Sequence, residues 1–182
     1  MNFGMDICAF LVDLRERLKK WGEPHNANVQ LAEETVHAIE LLEGGGLGVN
    51  VVVWWEGDDP AGEDLPESTI HNGKLWFGVT RHAGLAKQHF QNHIEGDEKR
   101  PALLGIVQSL RKFLFAQTFA DGLPECETGA YLHSAGMKPL AFAPGQFLRG
   151  YSLRMGINYT ALVGDEKDVP PECAEEIKEL ED

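Results

Sequence analysis

Apolar residues recur at helical spacing near the start of the chain. Ile7, Phe10, Leu11, Leu14, Leu18 and Trp21 share one face, with Asp13, Arg15, Glu16, Arg17, Lys19 and Lys20 on the others. This pattern predicts an amphipathic helix over residues 5–21, ended by Gly22 and Pro24. Cys8 lies beside the apolar stripe and reads as a small buried hydrophobe. Residues 29–43 read as a second helix, because Val29, Ala32, Val36 and Ile39 keep helical spacing and Glu33, Glu34 and Glu40 favour it. A strand over Thr35–Leu42 is the competing reading.

The run 49–55 (VNVVVWW) is β-rich and apolar at nearly every position, as in a strand covered on both faces. A long loop is expected over 56–73. The pattern returns over 74–82, with Leu75, Phe77 and Val79 on one side and Lys74 and Thr80 on the other. The two strands form a hairpin. A further helix is predicted at about 101–119, with Pro101 in its first turn and an apolar stripe of Leu103, Leu104, Val107, Leu110 and Leu114. A strand over 126–134 and a Pro/Gly turn over 137–145 follow. The clearest strand is 147–163. From Tyr151 to Val163 every odd position is apolar, while Ser152, Arg154, Asn158 and Thr160 are polar. Such alternation marks an antiparallel strand with one wet face.

These elements predict an α+β fold: a mostly antiparallel sheet of about four strands, with two to three helices packed on one face. Residues 1–163 form one domain and 164–182 an acidic tail. The length, 182 residues, suits a single core that needs no staples.

Charge refines this picture. The formal net charge is −13. Residues 56–73 hold six acids and no Lys or Arg, and residues 165–182 hold nine acids and two lysines. Those stretches carry −6 and −7, so the rest of the chain balances to zero. Non-specific nucleic-acid binding through phosphate neutralisation is not expected. Both runs read as solvated chain, with a contact surface for a basic partner as the sharper alternative. Nor is a membrane span or signal peptide expected. The three cysteines, Cys8, Cys126 and Cys173, form no CxxC pair, which fits a reducing compartment.

Candidate chemistry is sparse. Gly44, Gly45, Gly46 and Gly48 precede a strand and lack a following GK[ST], so they read as a helix stop and a turn. His89 and His93 stand four apart, with His82 upstream. On a helix that spacing puts both imidazoles on one face, where they could share a metal. The pattern lacks the glutamate of HExxH, and histidines that merely hydrogen-bond are the commoner case. No catalytic residue and no cofactor is assigned. Trp54 and Trp76 face away from their apolar neighbours, so a helix, a loop or another subunit must cover them.

The layout of residues 5–163 resembles the tail terminator and tail-completion (head–tail joining) proteins of tailed bacteriophages and prophages. The resemblance runs through MDICAFLVDLRERLKKW, the strand and polar hairpin VNVVVWWEGDD, the strand leading into GVTRHAGL, the helix PALLGIVQSLRKFL and the last strand LRGYSLRMGINYTAL. It implies a structural subunit without enzyme activity. Such subunits form a ring, commonly a hexamer, at the head-proximal end of the tail, stop tail-tube polymerisation and join tail to head. The implied partners are other copies of the chain, the tail tube protein and the connector proteins. The implied location is the host cytoplasm during assembly and the virion tail afterwards. Contact residues are expected at Trp54, Trp76 and Arg154 and, on the acidic loop, at Asp58, Asp59, Glu63 and Asp64. The acidic tail and the 29–43 helix fall outside the resemblance. Two rival readings remain: a small metal-dependent enzyme using His82, His89 and His93, and a monomeric cytoplasmic adaptor whose acidic stretches grip a basic partner.

Overall fold

The structure is a computed structural model, and it describes residues 5, 7–45, 48–60, 70–82, 102–119, 130–142 and 148–160. Helix α1 spans Ile7–Gly22 and buries Phe10, Leu14 and Leu18, one turn apart along a single stripe. Lys19 and Lys20 sit in its last turn, where cations oppose the negative end of the helix dipole. A short 3-10 turn, Glu23–His25, follows. Asn26 then takes a left-handed conformation (φ 49°), which asparagine tolerates better than most residues. The chain passes directly into strand β1, Ala27–Ala32.

Two residues later helix α2 begins, Thr35–Gly44, and β2 follows at Val49–Pro60. β1 and β2 run parallel, which requires a crossover, and α2 supplies it. β3, Ile70–His82, returns antiparallel to β2. Helix α3 spans Leu103–Phe115. The short β4 (Thr118–Phe119), then β5 (Ala130–Pro139) and β6 (Leu148–Thr160) complete the described chain. The strand order is β1-β2-β3-β6-β5-β4, and every pair except β1–β2 is antiparallel. The fold is α+β.

The sheet is the middle layer. One face carries Val49, Val51, Val53, Leu75, Phe77, Val79, Leu153, Met155 and Ile157, packed with Phe10, Leu14 and Leu18 of α1 and Leu103, Ile106, Val107, Leu110 and Leu114 of α3. The opposite face carries Ala32, Val52 and Trp54, packed with Ala38 and Leu42 of α2. A Cβ on Gly78 would stand 2.5 Å from Leu42 Cδ1, so a residue without a side chain seats α2 there. The Thr80 hydroxyl donates to the Leu42 carbonyl at 3.4 Å.

The structure corrects the sequence-based expectations in several places. The sheet has six strands rather than about four, and α2 lies on the face opposite α1 and α3. The apolar run of β2 anticipated cover on both faces, and α2 is the second cover. Residues 27–32 are strand, although Val29 and Ala32 fit a helical pattern with Val36 and Ile39. Pairing with β2 overrides that local pattern, and Val36 and Ile39 are left exposed on α2. The expected loop over 56–73 is shorter, because β2 continues to Pro60 and β3 starts at Ile70. A bulge between Trp55 and Gly57 lets the acidic residues continue the ladder. β5 continues to Pro139 where a turn was expected, and Cys8 is exposed.

Replacing Phe77 with alanine empties the centre of the larger cluster and is expected to cost about 3–5 kcal/mol. Gly78→Ala pushes against Leu42 and should cost about 1–3 kcal/mol. Urea unfolding of both variants checks these values.

Candidate functional site

Among the described residues, helix α2 packs on the Val52–Trp54 part of its side of the sheet. Beyond it the same face presents Glu56 and Asp59 of β2, Asn72, Lys74 and Trp76 of β3, Arg154 and Asn158 of β6, and His133 and Lys138 of β5. Strand register sets the central group. Trp54 pairs with Trp76, and Trp76 pairs with Arg154, so three side chains from three strands form one row. The two indoles stack with centroids 5.6 Å apart and planes 9° from parallel. Arg154 lies over the outer ring, its Cζ 4.7 Å from the Trp76 centroid. Trp54 is buried and Trp76 half-buried.

Glu56 closes the row from one side. Arg154 Nη2 donates to its two carboxylate oxygens at 2.8 and 2.6 Å, and Nε donates at 3.2 Å. This forked geometry is the stronger form of the ion pair. Partial burial pushes the Glu56 carboxyl upward. The opposing hydrogen bonds from Arg154 and Trp76, with the charges of Arg154 and Lys74, outweigh it and hold the group below the usual carboxylate range. Lys74 pairs with Asp59 next to this array. The Trp54 indole N–H is buried and has no hydrogen-bond partner among the described residues.

The bulge sends consecutive acids to opposite faces. Asp59 joins Lys74, whereas Asp58 turns toward the helix side and accepts a hydrogen bond from the Tyr159 hydroxyl. His71 Nδ1 lies 3.0 Å from the same Asp58 oxygen, close enough for an ion pair when the ring is protonated. Trp55 meets Tyr159 edge-on at 5.9 Å and lies over Gly73, where a Cβ would stand 2.1 Å from its Cη2. Burial, then the bond to Asp58 and its negative charge, push the Tyr159 phenol well above the usual tyrosine range.

Of the residues singled out from the sequence, Trp54, Trp76 and Arg154 come together, and Asp58 and Asp59 separate. His82 ends β3 opposite Leu148. Glu63, Asp64, His89 and His93 lie outside the described residues, as does the acidic tail. Among the described residues no group of three or more His, Cys, Asp or Glu side chains is placed to hold a metal ion. None of the described helices is long and apolar enough to cross a membrane. Sequence reasoning missed Glu56 as the partner of Arg154, because 98 residues separate them. It also missed the Tyr159–Asp58–His71 cluster and the stacking of Trp55 on Gly73. Continued strand alternation past Trp55 was the one available signal for Glu56. Compared with protein-family models and with curated proteins, the chain gives no match.

Glu56→Gln is expected to lower stability at neutral pH by less than about 1 kcal/mol, since the pair is partly exposed. Because the folded carboxyl is held below its unfolded value, its contribution is present above about pH 4.3 and lost as the pH falls further. The gap between variant and native protein should therefore close in acid, as read by denaturant unfolding along a pH series. Tyr159→Phe removes the hydroxyl's hydrogen bond to the Asp58 carboxylate and should cost about 1–3 kcal/mol. In the native protein, absorbance titration should find Tyr159 protonated beyond about pH 10. Its stabilising effect is present below that pH and lost as the pH rises toward the folded value.

Proposed function

We propose that this chain is a structural assembly subunit of a tailed phage or prophage particle, of the tail-terminator or tail-completion kind. In this role it forms a closed ring at the head-proximal end of the tail, ends tube polymerisation and joins tail to head. Two things support the reading: the layout of residues 5–163, and a sheet face that, among the described residues, a helix covers at one end only. The observation that carries it is the row Trp54–Trp76–Arg154 with Glu56, set on a sheet face that α2 covers at one end only. Aromatic and arginine side chains held in fixed geometry are the composition of interface anchors. The chain's net charge of −13 suits a particle through which DNA passes without adhering.

Light scattering and negative-stain electron microscopy of the purified chain test this function. The expected result is an annular particle of more than two subunits with a central opening. A monomer at every concentration overturns the proposal. Stoichiometric bound metal that is lost on replacing His82, His89 and His93 would instead move the protein to the metal-dependent reading.

A further inference from the structure

The two outer strands of the sheet differ in how they end it. Among the described residues β1 has a neighbouring strand on one side only, and its sequence, ANVQLA, contains no charge, no proline and no bulge. Edge strands of solitary proteins are usually blunted by such devices, because an open edge accepts another strand. At the other end, β4 pairs with Ala130 and Tyr131 only, so the outer edge of β5 from Leu132 to Pro139 has no strand beside it among the described residues.

The register brings these two edges to the same height. Four continuous rows cross the sheet: Val29–Val51–Val79–Tyr151–Pro139, Gln30–Val52–Gly78–Ser152–Lys138, Leu31–Val53–Phe77–Leu153–Met137 and Ala32–Trp54–Trp76–Arg154–Gly136. Within a row the side chains share a face. Leu31 and Met137 both pack against the larger apolar cluster, and Gln30 and Lys138 both lie on the other side. β1 parallels β2, and three antiparallel steps follow, so β5 runs opposite to β1. A second copy rotated about an axis along the strands would therefore offer its β1 antiparallel to β5, the more stable pairing. Leu31 would then extend the apolar row of Met137. β5 carries the devices that β1 lacks: the bulge at Gly136, Lys138 and Pro139 blunt its edge to general pairing, so a contact with β1 would be confined to the rows around Met137.

Helix α2 adds to the β1 edge. Two residues link it to β1, and it exposes Val36 (61%) and Ile39 (48%) in its first two turns. It carries Glu40 and Glu43 and no Lys or Arg, whereas β5 exposes Lys138 and carries no acid. The two edges thus differ in charge in the sense needed for attraction.

We infer that the partner of the β1 edge is a second copy of this chain, joined head-to-tail with the β5 edge of one subunit against β1 of the next. A heterologous contact of this kind closes into a ring when the rotation between copies divides a full turn. The inference rests on the assembly reading above and names the contact through which it would occur.

Charge reversal tests it in the full-length chain. Gln30→Lys faces Lys138 with a like charge and should weaken self-association by about tenfold or more per contact. Lys138→Glu added to Gln30→Lys should restore the native mass in light scattering. Asn28→Lys, at an exposed position of β1, serves as a second edge variant, and thermal unfolding by circular dichroism confirms that each variant folds. A ring of native mass in all variants overturns the edge contact and leaves the assembly reading standing. A species that stops at a dimer, is lost with Gln30→Lys and is not restored by Lys138→Glu also overturns it, in favour of β1 pairing with its own copy. No self-association of the native chain overturns the assembly reading itself.

Discussion

Two-sided burial of β2 is the constraint on which the rest of the molecule depends. Every residue from Val49 to Trp54 is buried, and successive side chains point to opposite faces. One covering layer would leave Val52 and Trp54 in water. The chain meets this demand with α1 and α3 on one side and with α2, inserted between β1 and β2, on the other. The same insertion makes β1 parallel to β2 and places it at the edge of the sheet. The mixed sheet, the place of β1 at the end of the described strand order and the cover of the second face by α2 therefore share one origin.

Register carries the consequences outward. A slip of one residue would turn the apolar set of a strand to the wrong face, so the rows from β1 to β5 are strongly specified wherever the helices cover them. Trp54, Trp76 and Arg154 meet because they occupy one such row. Arg154 covers Trp76 and pairs with Glu56, which gives an otherwise wet sheet face a rigid aromatic and charged centre. Long side chains fixed in this way lose less conformational freedom when another surface meets them.

The bulge after Trp55 divides β2 into two functional halves. Before it, every residue of the strand except Asn50 is apolar. After it, Asp58 and Asp59 keep the ladder but serve different neighbours, Tyr159 and His71 on one face and Lys74 on the other. Asp58 and Asp59, which read as loop, are thereby part of the sheet, and Asp59 has its counter-charge in Lys74.

Periodicity in the sequence determined the amphipathic α1 and α3, the β2–β3 hairpin, the long alternating β6 and the α+β class. Each rests on a local pattern whose polar and apolar sides correspond to water and core. The same sequence showed that β2 needs cover on both faces, and that Trp54 and Trp76 lie away from the main apolar set. Only the tertiary structure decided that Val29 belongs to a strand, because the competing helical spacing lost to pairing with β2. It alone decided that α2 is the second cover, that strands continue through Asp59 and Met137, and that Cys8 faces solvent. Glu56 with Arg154, and Asp58 with Tyr159 and His71, were also illegible in the sequence. Those contacts join residues on different strands, and sheet register rather than local spacing determines which side chains become neighbours.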